Sequence, residues 1–383
     1  MPQYSRYEVL QSFTKSLANS FRELGVRVSI LEGNKDGFKL LYHEVTHDPP
    51  DCTLTFNALL PDQEGRFLSD MLQIPHVSCL VDPPFYFLEL LKGRYNIITC
   101  VDRFGVDFLK SVHFTHSLFL PHAVDKKLVE TSPAPRSERP FDVVMLGSFT
   151  NLDAIKNQWI IRYGKAFADL LEETAHRSLS NLDLSHAQIL AQATQHVDTR
   201  SVNFIELAID IERYLKGLDR IELLRHIKDV RVDLFGGPHE KATWSEFLGS
   251  DHPNIIVHEE VGYIKALEIM QKSKIVLNTS AFFKYGAHER IFNGIACGAA
   301  VLTNQNDYLA SQFTHEEDIL FYRPPGTHEV NDYLVEYLKD DQKREELVQR
   351  GREKVLQAHT WDHRAAFLYD QLEPMIEEIV TLQ

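Results

Sequence analysis

The sequence predicts an α/β protein of two domains, each a parallel sheet covered by helices, with a helical insertion in the second domain. Three observations carry this. Short apolar, β-branched runs alternate with amphipathic stretches along most of the chain, the pattern of parallel sheets covered by helices. At 383 residues the chain exceeds what one core usually supports, so two domains are expected. The stretch 131–140, TSPAPRSERP, is rich in proline, serine and charge and reads as a linker between two such runs.

Bulk properties narrow the class. A chain that is 44% hydrophobic and 25% charged is ordinary globular material. The net charge of −15 argues against nucleic-acid polymers or anionic membranes as main partners, since both need broad basic surfaces. Cys52, Cys79, Cys100 and Cys297 form no C-x-x-C pair, and three of them sit in apolar, strand-like contexts. Neither a disulfide framework nor a metal site is expected from them. The opening MPQYSRYEVLQSF shows no signal-peptide core, and no run is long enough to span a bilayer, so a cytoplasmic address is expected.

Taken in order, residues 7–24 carry Val9, Leu10, Phe13, Leu17 and Phe21 at helical spacing, and Gly25 ends that helix. VRVSIL (26–31) reads as a strand. Strands follow at 52–56, 74–81, 95–101 and 117–120, with helices at 65–72, 88–91 and 103–111 between them. The second α/β run opens on FDVVML (141–146) and continues directly into Gly147-Ser148, where glycine lets backbone approach a ligand or a facing surface. Residues 151–229 are helical in pattern, with an apolar stripe through Ile205, Leu207, Ile211, Tyr214 and Leu215. That is too long for one crossover and reads as an insertion. Its histidines (His176, His186, His196, His226) lack metal-ligand spacing. Strands at 230–235, leading into Gly236-Gly237, and at 254–257 come next, then a helix at 262–272. After residue 304 the pattern gives a helix at 308–313, a strand at 319–322 and helices at 330–339, 341–359 and from 361 to the end.

The most informative stretch is 274–304, KIVLNTSAFFKYGAHERIFNGIACGAAVLTN. It reads as strand, loop, helix, glycine stop and strand. Ile291, Phe292, Ile295 and Ala296 share one helix face, and Gly298 stands where a C-terminal glycine belongs. Arg290 falls in the first turn, where a cation opposes the positive end of the helix dipole. Either Glu289 beside it or a bound phosphate at the free N–H groups compensates.

Five features in order resemble the nucleotide-sugar glycosyltransferases of the GT-B fold, group 1 type, and especially their CgeB-like, spore-maturation branch. They are DVVMLGS, DLFGG, VGYIKALEIMQKSKIVLNTS, HERIFNGIACGAAVLTN and HTWDHRAAFL. The resemblance covers roughly 141–368 outside the insertion, and the fourth feature is the most specific. IPHVSCLVDPPF and SLFLPHAVD resemble that branch's acceptor-side domain.

The resemblance implies two doubly wound, Rossmann-like domains facing a cleft, with residues 1–135 as acceptor-side domain, 136–360 as donor domain with the insertion at about 151–229, and 361–383 as a helix crossing back. It implies transfer of a sugar from a nucleoside-diphosphate sugar to an unidentified acceptor, without metal or further cofactor. The implied donor-binding set is Gly147, Ser148, Gly236, Gly237, Lys284, Tyr285, Gly286, Ala287, His288, Glu289 and Asn293. Arg290 would neutralise the leaving diphosphate. Position 293 holds the family's ribose-binding glutamate, here an asparagine, which still offers hydrogen bonds; the retaining enzymes' pair of glutamates eight apart is Tyr285 and Asn293 here. For an inverting reaction the candidate bases are Asp82, which a turn before Pro83-Pro84 also explains, and His122, which packing also explains. Other classes remain to be weighed. A dinucleotide-dependent oxidoreductase needs a G-x-G-x-x-G turn that GSFTN and GGPHE lack. A degenerate module that binds a sugar nucleotide or a protein without turnover is the alternative to an enzyme. The sequence does not disclose the oligomeric state.

Overall fold

The computed structural model describes residues 6–32, 35–197, 202–236, 241–248, 252–325 and 328–381. The chain divides into two compact units. One comprises Met1–Lys127 with Gln357–Gln383, and the other Leu128–Leu356.

The first unit opens with α1 (Val9–Glu23) and α2 (Lys35–His47), then runs β1 (Thr53–Phe56), α3 (Leu68–Leu72), β2 (His76–Leu80), a 3-10 stretch at Pro84–Lys92, β3 (Asn96–Cys100), α4 (Arg103–Ser111), β4 (Ser117–Phe119) and α5 (Lys126–Glu130), which extends into the second unit. The four strands form one parallel sheet in sequence order, β1-β2-β3-β4. Residues 26–31, expected as a strand, form none. Their alternating pattern is met by an extended segment along the helices, where the Val26 N–H donates to Phe21 O and Arg22 donates to Val28 O. Alternation indicates a half-buried extended segment; a strand also needs a neighbour to complete its ladder. Helix α2 was not expected from the pattern.

The second unit begins with a 3-10 turn at Arg136–Glu138 and β5 (Phe141–Leu146). The insertion follows as α6 (Leu152–Tyr163), α7 (Lys165–Ser180), α8 (His186–Ala193) and α9 (Phe204–Arg225). The sheet then resumes with β6 (Val232–Phe235), α10 (Lys241–Leu248), β7 (Ile255–His258), α11 (Tyr263–Gln271), β8 (Ser273–Leu277), α12 (Glu289–Ala296), β9 (Ala300–Asn304), α13 (Asp307–Gln312), β10 (Leu320–Tyr322), α14 (His328–Lys339) and α15 (Asp341–Ala358). Its six strands are parallel and ordered β10-β9-β8-β5-β6-β7. The chain winds outward from β5 to β7, returns beside β5 as β8, and winds the other way. The C-terminal ends of β5 and β8 therefore form the topological switch point, where ligands of such sheets bind.

The insertion belongs to this unit's core. Trp159, Leu171, Leu190, Ile211 and Leu215 are buried in one cluster with Val143 of β5 and Ile275 of β8. Three of its helices, α6, α8 and α9, begin on side-chain caps: Asn151 accepts from Ala154 N–H, Ser185 and Gln188 form a capping box, and Asn203 accepts from Ile205 N–H.

The unit boundaries differ from those expected at 135/136 and 360/361. Residues 128–139 dock on the second unit because two arginines hold them there. Arg139 donates to Ser273 O at 2.6 Å and to Cys297 O at 3.1 Å, while Arg352 donates to Thr131 O at 2.7 Å, to Val129 O and to Ala296 O. Both cations sit at the C-terminal carbonyls of α12, their favourable place on a helix dipole. The expected linker is in this way a clamped segment. Residues 357–360 lie with the first unit because Val124 bonds His359 O and accepts from Trp361 N–H, each at 3.0 Å. The last helix, α16 (Trp361–Thr381), packs in that unit: Trp361 lies on Phe13 and Phe56, and Ser20 donates to Asp362 at 2.6 Å. Among the described residues no helix is long and apolar enough to cross a membrane.

Candidate active site

At the switch point, strand β8 leads into Asn278, Thr279, Ser280 and Ala281, and all four are buried. Buried polar groups need partners, and neighbouring strands and helices supply them. Asn304, ending β9, accepts from the Ser280 N–H at 2.8 Å. Asn278 donates to the Thr303 hydroxyl at 3.0 Å. Asp219 of α9 accepts from the Thr279 hydroxyl at 2.6 Å and from the Ala281 N–H at 2.9 Å. The next stretch, 283–286, is held by Asn306, whose side-chain amide donates to Phe283 O at 3.1 Å and to Gly286 O at 2.9 Å while its oxygen caps α13 through Leu309 N–H. The loop that delivers the chain to the N-terminus of α12 is thus fixed along its length.

Helix α12 starts on His288. The His288 Nδ1 lies 2.5 Å from Glu289 Oε2 and 3.4 Å from the Arg290 N–H. The two contacts exclude one another: Nδ1 donates to Glu289 when it carries the ring proton and accepts from the Arg290 N–H when it does not. Arg290 is partly exposed in the first turn. Helix α12 lies close on the sheet because Gly294 faces it: a Cβ there would meet Val301 Cγ2 at 2.8 Å and Val276 Cβ at 3.2 Å. At the far end Gly298 has φ +79° and turns the chain into β9.

The other wall of the switch point is the loop after β5. Arg220 of α9 lies against Gly147, its Nε 3.1 Å from where a Cβ would stand, and its guanidinium donates to Ser148 O. Gly236 is required by backbone packing, since its Cβ would sit 2.6 Å from Gly147 O. Gly237 lies outside the described residues.

Three expected side chains are placed otherwise than a direct ligand role needs. Lys284 is 3% exposed and donates to Ser178 O at 2.9 Å and Asn181 O at 2.6 Å, the carbonyls that close α7. Its ammonium neutralises a helix C-terminus and is not directed to a diphosphate. Asn293 is 1% exposed and accepts a 3.4 Å bond from the Tyr263 hydroxyl, so α11 already holds the group expected at a ribose. His122, in the first unit, is 4% exposed with its ring 5.5 Å from that of Phe13, a packing position for a residue expected as a base. Asp82 is the exposed candidate. It follows β2, and Asn57, at φ +58° after β1, donates to it at 3.1 Å while accepting from Val81 N–H. Tyr285 packs 5.8 Å from Tyr308, and Ala287 is fully buried under α12.

Asp219, Arg220, Asn304 and Asn306 were not singled out in the sequence. The two asparagines stand at a strand end and a helix start, positions that could have flagged them. Asp219 and Arg220 sit on a helix of ordinary amphipathic pattern, and nothing local marks them.

Residues 219–370 match a protein family described as glycosyl transferase-like. A protein of Aquifex aeolicus (strain VF5), described as uncharacterized, is 19% identical over 93% of this chain and 91% of its own length. Among solved structures, a glycosyltransferase from Rickettsia africae ESF-5 superposes with TM-score 0.55 at 11% identity, covering 99% of this chain and 97% of that one. HepE of Anabaena, solved in complex with UDP, superposes with TM-score 0.54 at 12% identity, covering 97% and 98%. The fold is that of the GT-B glycosyltransferases. The segment similar to that family, from Asp219 on α9 to Asp370 on α16, contains the whole stretch from the β8 loop to α12.

Proposed function

We propose that this chain transfers a sugar from a nucleoside-diphosphate sugar to an acceptor, without a metal, and that the N-terminus of α12 with Arg290 receives the diphosphate. The observation that carries the reading is the switch point itself. A rigidly bonded loop leads into a helix whose first turn carries an arginine, within the segment that matches the glycosyl transferase-like family. Free N–H groups at a helix start attract a phosphate, and a guanidinium beside them takes up charge as the leaving group departs. In this reading Gly147 and Ser148 line the same crevice from the β5 side, and Tyr285, Gly286, Ala287 and His288 present the approach to the helix. HepE, which shares the fold, is known in complex with UDP and with UDP-glucose, which is the ligand chemistry proposed here.

The reading assigns the acceptor's proton to Asp82, an exposed carboxylate at a strand end, in preference to the buried His122. The branch proposed is the CgeB-like one, the address cytoplasmic, and the acceptor a protein, glycan or small molecule.

Release of free sugar and nucleoside diphosphate from a panel of nucleotide sugars, measured with EDTA present, tests the proposal. Turnover of one donor with EDTA is the expected result. Binding without turnover, with or without crude acceptors, would make the chain a binding module, and absence of binding would remove the sugar-nucleotide reading altogether.

A further inference from the structure

The helical insertion does more than fill the core, and its last helix shows what. Asp219 is 3% exposed, and both its carboxylate oxygens are engaged on the β8 loop, one by the Thr279 hydroxyl at 2.6 Å and one by the Ala281 N–H at 2.9 Å. The adjacent Arg220 donates to Ser148 O in the β5 loop. One step of a single helix therefore ties together the two loops between which the sheet reverses. The helix comes this close because Gly217 has no side chain; a Cβ there would meet Thr150 at 2.7 Å and Leu152 at 2.9 Å. The insertion also grips the far end of the same loop. Lys284 is fastened to the end of α7, and the Lys216 ammonium of α9 lies 4.6 Å from the Phe282 ring.

A buried carboxylate is costly to keep charged. Burial pushes the Asp219 carboxyl up, against the Thr279 and Ala281 hydrogen bonds and the charges of Arg220 and Lys284. A core that needed only volume here would do better with an apolar residue. What a carboxylate supplies is two acceptors in fixed geometry for one hydroxyl and one backbone N–H; an amide has one acceptor, so with its oxygen on the Ala281 N–H its NH2 would face Thr279 and reverse that hydrogen bond.

We propose that Asp219 is a positioning residue for sugar transfer: through Thr279 and Ala281 it sets the loop that carries the chain to α12, and so the placement of Arg290 against the donor diphosphate. The proposal rests on the donor site proposed above. A misplacement of the loop by a fraction of an ångström would act on the chemical step more than on ground-state donor binding.

The test compares wild type, Asp219→Asn, Thr279→Val and Thr279→Ser for turnover of the donor accepted by wild type, for nucleoside-diphosphate affinity, and for amide exchange of residues 279–290. The expected result is a loss of about tenfold or more in kcat for Asp219→Asn, with KM and affinity changed by less than about threefold. Exchange over 279–290 rises while the melting temperature stays near that of wild type. Thr279→Val moves the same way by a smaller factor, and Thr279→Ser restores it. Should Asp219→Asn fail to fold, the two Thr279 variants decide. Wild-type kcat and exchange in the variants overturn the positioning role alone. Loss of melting temperature in proportion to kcat, without rescue by serine, reduces Asp219 to a structural residue and overturns it as well. A wild type that binds no nucleotide sugar overturns the donor site, and this proposal with it.

Discussion

The two sheets differ in how they end. In the second unit the strand ends at the switch point are lined with buried polar residues that bond one another: Asn278 to Thr303, Ser280 to Asn304, Thr279 and Ala281 to Asp219. In the first unit the described strands follow one another in order without a reversal, and their polar ends are open: Asp82 is exposed and held by one bond from Asn57. A buried rim held by many side-chain hydrogen bonds costs conformational freedom in advance and fixes geometry, which suits a ligand of constant shape such as a diphosphate. An open rim leaves an exposed carboxylate room to meet different groups. The reading proposed above places donor binding at the bonded rim of the second unit and takes Asp82 of the first as its candidate base.

The largest effect that would break this comparison is on turnover. Asp82→Asn is expected to lower kcat by about 100-fold or more, the lower range for loss of a general base, with nucleoside-diphosphate affinity unchanged. A kcat near wild type would move the base elsewhere. Next is the rigidity of the second unit. Gly294→Val places methyl groups where Val301 and Val276 already stand, and a loss of about 2 kcal/mol in denaturant unfolding is expected from overpacking. Equal stability would mean that α12 can lift from the sheet, and the rim would not be rigid. Arg290→Ala is expected to weaken nucleoside-diphosphate binding by at least about 1.5 kcal/mol in a folded protein, as titration calorimetry would read it.

The smallest effect is on the first unit's pH dependence. His76 on β2 is buried, burial lowers its pKa to about 4, and both ring nitrogens contact threonine hydroxyls, Thr53 at 2.8 Å and Thr55 at 3.0 Å. Because the folded value lies below the unfolded one, the unfolded chain binds a proton that the native chain refuses as pH falls below about 6.5, and stability is lost down to about 4. Between pH 7 and 5.5 this amounts to about 1 kcal/mol. His76→Gln should flatten that part of the stability profile; an unchanged slope would mean that the ring is protonated in the fold.

Much of this architecture was legible in the sequence. FDVVML falls on β5 residue for residue, and the apolar runs at 117–120, 254–257 and 319–322 each lie within a residue of a strand. The runs at 117–120 and 319–322 are largely buried, so hydrophobicity alone marks them. The segment 26–31 misled because alternation records burial and leaves pairing unspecified. The helix within 274–304, its glycine stop and the basic first turn were readable because caps and dipoles act over a few residues. The partners of the site residues were not. Lys284 looks like a phosphate ligand in a loop rich in aromatic residues, and its attachment to Ser178 and Asn181 lies more than 100 residues back along the chain. Asp219 bonds Thr279 across 60 residues. Such contacts come from the packing of the insertion, and no local pattern encodes them.

The central claim is that the loop after β8 and the start of α12 bind the donor diphosphate. Amide exchange of the protein with UDP, GDP or ADP, in EDTA, tests it most directly. The account predicts that one of these nucleotides slows exchange over 279–290, and that Arg290→Ala abolishes the effect at the same nucleotide concentration. Protection confined to other segments, or the same protection in the Arg290→Ala protein, would contradict it.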